Sequence, residues 1–193
     1  MVRLRAVVAD ELAPLESLEE PDEDGGEEER EREREGTGYV DPDRLFVTGG
    51  SGGGVLTAWI TGKTGRFRAA AVQKPVINWT SFVLTADAAN FFYRYWFPAP
   101  PWEDPEGYWA RSPLSLVGRV KTPTLVVTGE LDYRTPIGES EQYYQALRLN
   151  GVDALLVRVP GAPHALDLRP SQLMARVAYI LAWFGKYGGE SDQ

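Results

Sequence analysis

The chain has 193 residues, a formal net charge of −8, one histidine and no cysteine. That length suits one domain with a sizeable core, and the missing thiols exclude a disulfide framework or a thiolate metal site, in keeping with a reducing, cytoplasmic compartment. One histidine leaves too few ligands for zinc, so neither a metal nor another cofactor is expected. No stretch approaches the roughly 18 continuous apolar residues of a membrane span, and the first ten residues turn acidic too soon for a good secretory signal.

The acidity sits at one end. Residues 1–36 hold 14 acidic and 5 basic side chains, whereas residues 37–193 hold 14 and 15. The body is therefore near neutral and offers no basic patch for nucleic acid. Residues 19–26 are too polar to order themselves by burial and read as disordered. Residues 27–35 alternate Glu with Arg, and Glu28–Arg32 and Glu31–Arg34 are helix-compatible pairs worth only tenths of a kcal/mol each. A solvated, transiently helical face is the plain reading of that stretch; a docking tail for a basic partner is the alternative. The expected division is an acidic head over 1–36, a folded body over 37–188 and a flexible tail over 189–193.

In the body, strand and helix patterns alternate. A strand over 45–48 passes into a helix over 52–61, followed by a buried strand over 69–73. Residues 78–119 are too long for a simple crossover. Within them, residues 79–109 carry eleven of the chain's 22 aromatic side chains, a density that ordinarily reflects packing. A strand over 124–128 precedes a helix over 139–150, entered after Thr135-Pro136 and stopped near Asn150-Gly151. A last strand over 155–159 leads to an amphipathic helix over 171–186, entered through Pro170 and ended by Gly188-Gly189. This alternation implies an α/β fold, a parallel sheet with right-handed crossovers and flanking helices.

Three loops after strands carry candidate chemistry. Gly49-Gly50-Ser51-Gly52-Gly53 follows the first strand and opens the first helix, the strand–Gly-x-Ser-x-Gly–helix signature of a nucleophile elbow. The glycines fit a strained serine backbone whose neighbours leave no room for side chains. Asp132 follows the 124–128 strand and His164 the 155–159 strand, giving the chain order Ser…Asp…His of an α/β-hydrolase. All three lie past the carboxyl ends of strands, where open parallel sheets carry their sites. A serine hydroxyl is a weak nucleophile, so His164 would take its proton, Asp132 would fix the imidazole tautomer, and the Gly52 N–H would donate to the oxyanion.

Residues 38–53, Gly129-Glu130-Leu131-Asp132-Tyr133-Arg134-Thr135-Pro136 and Val159-Pro160-Gly161-Ala162-Pro163-His164 together resemble the three motif regions of prolyl oligopeptidase family serine peptidases. The likeness covers about residues 38–187. It implies an α/β-hydrolase-like sheet lacking the N-terminal strands of the full fold and the β-propeller that usually precedes it. It also implies a peptide or acyl-peptide substrate, and it places Trp79, Phe82, Tyr93 and Trp96 in the wall of the substrate pocket. One departure is Pro163 before His164 and Ala165 after it, where a small or polar residue and a glycine are commoner. Arg134 reads either as a holder of a substrate carboxylate or as half of an ion pair steadying its own loop.

Three functions follow. The first is a serine peptidase working through an acyl-enzyme; the second is a simple esterase on the same triad. The third is a truncated, impaired remnant acting at most as a binding module. In the family sheet the 45–48 strand is interior. Unless residues 3–9 lie beside it, an open apolar edge would invite self-association or a partner.

Overall fold

The computed structural model describes residues 6–8 and 40–189; the rest of the acidic head, residues 37–39 and the last four residues lie outside the described residues. Five strands form one parallel sheet in the order β1-β2-β3-β4-β5: Ala6–Val8, Phe46–Gly50, Ala69–Gln73, Thr124–Gly129 and Ala154–Val159. Strand order follows chain order, so each crossover steps one place across the sheet. β1 lies against the outer side of β2, Ala6 opposite Phe46 and Val8 opposite Thr48. The edge that the sequence leaves open beside β2 is therefore covered by three apolar residues.

Six α-helices complete the described residues: α1 Gly52–Thr61, α2 Trp79–Thr85, α3 Ala89–Trp96, α4 Pro105–Arg111, α5 Ile137–Leu149 and α6 Pro170–Gly188. The long 78–119 segment thus supplies three short helices and a 3-10 turn, Pro113–Arg119, in place of a simple crossover. Their caps are local. Asn78 accepts from the Thr80 N–H and Asp104 from the Gly107 N–H, satisfying donors that the first turn leaves without partners.

β3 and β4 are apolar on both faces because helices cover both faces, as parallel sheets require. Side chains alternate across the pleat. Phe46, Ala69, Ala71, Leu125 and Val127 face Trp183 and Phe184 of α6. Val72 and Val126 face the opposite way, against Ala58 of α1 and Tyr143 and Leu147 of α5. A third cluster, with Val55, Trp79, Phe82, Phe97 and Tyr108, sits under α2–α4. Tyr143 is fully buried; burial pushes its hydroxyl up to about 12, and the bond to Thr61 Oγ1 at 3.2 Å supplies its polar partner.

One carboxylate is also buried. Glu139, on the first turn of α5, is 1% exposed. Its Oε2 accepts from the Ile77 and Asn78 N–H groups at 2.9 and 2.8 Å, and its Oε1 accepts from Ser81 Oγ and Gln142 Nε2. Those contacts tie α5 to the start of α2. Burial pushes the carboxyl above its ordinary range, and the donors pull it back without cancelling the rise. Between the two values the folded chain holds a proton that the unfolded chain has released, so stability falls as pH rises through that window. Glu139→Gln has no such proton. Raising the pH from about 5 to about 8 is expected to lower the Tm of the parent relative to that of Glu139→Gln, as differential scanning calorimetry would record; a constant difference would contradict this.

Candidate active site

β2 ends in an elbow. Ser51 has φ 59° and ψ −116°, a left-handed backbone that costs a non-glycine residue on the order of 1–3 kcal/mol. Two main-chain bonds hold it: Ser51 N–H to Gln73 O and Val55 N–H to Ser51 O, each 3.1 Å. The steric demand for glycine falls on Gly49, the first glycine of the signature, and on Gly54, one residue past its last, and not on the two residues that flank Ser51. Beside Ser51, a Cβ at Gly52 would meet nothing within 4 Å, and one at Gly50 would approach Lys74 Cε at 3.1 Å. At Gly49 it would lie 2.4 Å from Gly53 O, and at Gly54 2.4 Å from Gln73 O. Gly49 and Gly54 are thus bare because α1 turns back directly against β2 and β3.

Asp132 follows β4 and is 2% exposed. Its Oδ1 accepts from the Arg134 and Thr135 N–H groups at 3.0 and 2.9 Å. His164 follows β5. Its Nδ1 lies 2.9 Å from Asp132 Oδ2, and its Nε2 lies 3.0 Å from Ser51 Oγ. The three candidates therefore form one continuous hydrogen-bonded chain. Gly52 is exposed at the first turn of α1, immediately after the serine.

β2 and β5 are three strand spacings apart, about 14 Å, so the histidine loop must run back over β4 and β3 to reach the serine. It does so directly over Gly129, where a Cβ would lie 2.3 Å from Ala162 O and 2.7 Å from Pro163 O. Leu131 N–H donates to Ala162 O at 2.9 Å, and Gly161 N–H donates to the Glu130 carboxylate at 3.1 Å. Gly161 makes the bend with φ 61°, a conformation glycine adopts without steric cost. Pro163 lies within this crossing, its carbonyl above Gly129.

Of the four aromatic residues placed in the pocket wall by resemblance, Trp79 and Phe82 are 3% and 1% exposed inside the third cluster, whereas Tyr93 and Trp96 are 37% and 41% exposed on α3. Trp96 stacks edge-on against both Trp79 and Phe92. Only Tyr93 and Trp96 of the four offer surface that a bound molecule could touch. Arg134 Nε pairs with Asp87 Oδ1 at 2.7 Å. Its partner lies in the α2–α3 connection, outside its own loop, and this bond raises the guanidinium's already high pKa. The pair is about half exposed, so it contributes at most about 1 kcal/mol.

Two residues at the site were not among the candidates that the sequence offered. Thr135 Oγ1 lies 3.0 Å from Asp132 Oδ2, 3.1 Å from Lys74 O and 3.3 Å from His164 Nδ1. Lys74, in the turn after β3, donates from Nζ to His164 O at 2.9 Å. Among the described residues no group of three His, Cys, Asp or Glu side chains is placed to hold a metal ion, and no helix is long and apolar enough to cross a membrane.

Residues 33–191 match the model of the prolyl oligopeptidase family. The chain belongs to that family. An uncharacterised peptidase of Bacillus subtilis (strain 168) is 43% identical over 151 residues, covering 77% of this chain and 23% of its own length. The acylamino-acid-releasing enzyme of Arabidopsis thaliana is 39% identical over 158 residues, 78% of this chain and 20% of that enzyme. The solved acylaminoacyl peptidase of Pyrococcus horikoshii superposes with a TM-score of 0.77 at 24% identity, covering 85% of this chain and 27% of that one. This last likeness establishes the α/β-hydrolase fold. This family chain spans only about a fifth to a quarter of the length of the relatives it matches.

If the histidine loop reaches the serine only because Gly129 has no side chain, Gly129→Ala should lift it. The expected result is a loss on the order of 10²-fold in labelling of Ser51 by a fluorophosphonate probe, the scale of a 1 Å misplacement, in a protein that still folds. Labelling within twofold of the parent would contradict this.

Proposed function

We propose that this chain carries the catalytic centre of a serine peptidase acting on short peptides or acyl-peptides, with Ser51 as nucleophile, His164 as general base and acid, and Asp132 as its orienting carboxylate. The observation that carries this reading is the unbroken Ser51–His164–Asp132 relay, with bonds of 3.0 and 2.9 Å. In the first half-reaction His164 Nε2 takes the Ser51 hydroxyl proton as Oγ bonds to the scissile carbonyl carbon. The Gly52 N–H donates to the oxygen that becomes negative. His164 then passes its proton to the departing amine, and the C–N bond breaks to leave an acyl-serine. Water attacks next, losing its proton to His164, which returns it to Ser51 as the acid leaves.

Asp132 stays charged throughout. Its buried carboxylate accepts from two backbone N–H groups as well as from the imidazole, so it fixes the tautomer with Nδ1 protonated and stabilises the imidazolium. Tyr93 and Trp96 supply the exposed aromatic surface on α3 that suits an apolar side chain next to the scissile bond. The acyl-peptide preference draws on the acylamino-acid-releasing enzyme among its relatives. The assembled relay favours a working centre over an impaired remnant.

The test is release of p-nitroaniline by the purified chain from N-acetyl-alanine p-nitroanilide and from its free-amine counterpart. The expected result is faster turnover of the acetylated compound and its abolition in Ser51→Ala. Equal, Ser51-independent hydrolysis of both, or none of either, would overturn the proposal.

A further inference from the structure

The last residue of β3 and the turn that follows it touch all three loops of the relay. Gln73 O accepts the Ser51 N–H, holding the elbow. Lys74 makes the other two links: its carbonyl lies 3.1 Å from Thr135 Oγ1, beside Asp132, and its ammonium donates to the main-chain carbonyl of His164 at 2.9 Å. The Lys74 N–H donates to Val127 O at 2.7 Å, fastening the turn to β4. We propose that Lys74 is a positioning residue of the active centre, a strut from the central strand that fixes where the histidine loop comes to rest above Ser51. This rests on the reading of Ser51, His164 and Asp132 as the catalytic relay.

Three features separate a strut from an ordinary surface lysine. First, Lys74 has φ 39°, in the left-handed region that non-glycine residues rarely occupy, and such outliers persist only where the surroundings over-determine them. A glycine would relax the backbone there but would have no ammonium to offer. Second, its stem has a prepared path: Lys74 Cε lies 3.1 Å from where a Cβ at Gly50 would be. The bare Gly50, inside the elbow itself, leaves room for the lysine to pass the nucleophile. Third, the bond meets the loop at the residue where position matters. Leu131 and Glu130 hold the loop upstream, at Ala162 and Gly161, whereas Lys74 holds the main chain of His164. A charged donor makes this hydrogen bond about twice as strong as a neutral one.

Thr135 has one hydroxyl proton and two acceptors in reach, Lys74 O and Asp132 Oδ2. The Lys74 carbonyl therefore also sets how the acid loop sits beside the imidazole. Strut and acid loop meet at one hydroxyl.

A fluorophosphonate probe tests this without a known substrate. Labelling forms a bond from Ser51 Oγ to phosphorus and expels fluoride, with the serine proton passing to His164. Saturation kinetics separate probe binding (KI) from the chemical step (kinact). Lys74→Met keeps the apolar stem and removes the donor. It is expected to lower kinact by about tenfold, within the range that small misplacements of catalytic groups produce, with KI within twofold of the parent. Lys74→Arg, which can still donate to the His164 carbonyl, is expected to restore most of the rate. If Lys74→Met lacks a cooperative unfolding transition, Lys74→Gln takes its place. A kinact within twofold of the parent, a change confined to KI, no recovery with arginine, or failure of both replacements to fold would overturn the positioning role. An unlabelled parent would instead remove the catalytic reading on which it rests. Labelling of the parent that is lost in Ser51→Ala, beside unchanged Lys74 variants, would overturn the strut alone.

Discussion

Everything at the site depends on the histidine loop crossing back over the sheet. Parallel strands at fixed spacing put the carboxyl end of β5 about 14 Å from that of β2, yet His164 Nε2 lies 3.0 Å from Ser51 Oγ. The sheet thus brings all three loops to one rim without bringing the side chains together. That last step belongs to a few close approaches of main chain. Ala162 and Pro163 lie on Gly129, Leu131 donates to Ala162, and Lys74 reaches His164. The contacts at Gly129 and Leu131 join main chain to main chain and do not relax when a side chain rotates, which suits a geometry with a tolerance well under 1 Å, whereas the Lys74 contact runs through its side-chain ammonium.

The aromatic segment between β3 and β4 is joined to the same frame at two places. Glu139 grips Ile77, Asn78 and Ser81 at the start of α2, and Arg134 grips Asp87 beyond its end. Glu139 lies on the helix that follows the Asp132 loop, and Arg134 lies in that loop. The first tie is buried and made of several donors on one carboxylate, so removing its partners would strand a charge away from water. The second is exposed and weak. α2 is therefore held firmly at its start and lightly after its end, towards α3, where Tyr93 and Trp96 present their rings.

Much of this was legible in the sequence because it is local. The apolar runs at 69–73 and 124–128 need two covered faces, and the Gly-x-Ser-x-Gly between a strand and a helix announces its own turn. Asp132 and His164 could be found from their place after strands, and the single histidine left no rival. β1 was visible only as a condition on residues 3–9, since three apolar residues among charges carry no period. Glu139 could not be read as buried: Ile137-Gly138-Glu139-Ser140-Glu141 looks like the polar start of a surface helix, and its partners lie about 60 residues away. Lys74 was equally silent, because its partner is a carbonyl 90 residues on. The aromatic count marked the 79–109 segment but could not separate Trp79 and Phe82, which are buried, from Tyr93 and Trp96, which keep exposed surface.

A chain with one histidine allows one decisive measurement, the proton NMR spectrum of its imidazole. A relay from Ser51 through His164 to Asp132 should give a single ring-nitrogen proton far downfield of the amide region and protected from solvent exchange. It should move when Ser51 is phosphonylated and vanish in Asp132→Asn. An imidazole whose ring protons exchange freely, with the same spectrum in the parent and in Asp132→Asn, would contradict the relay.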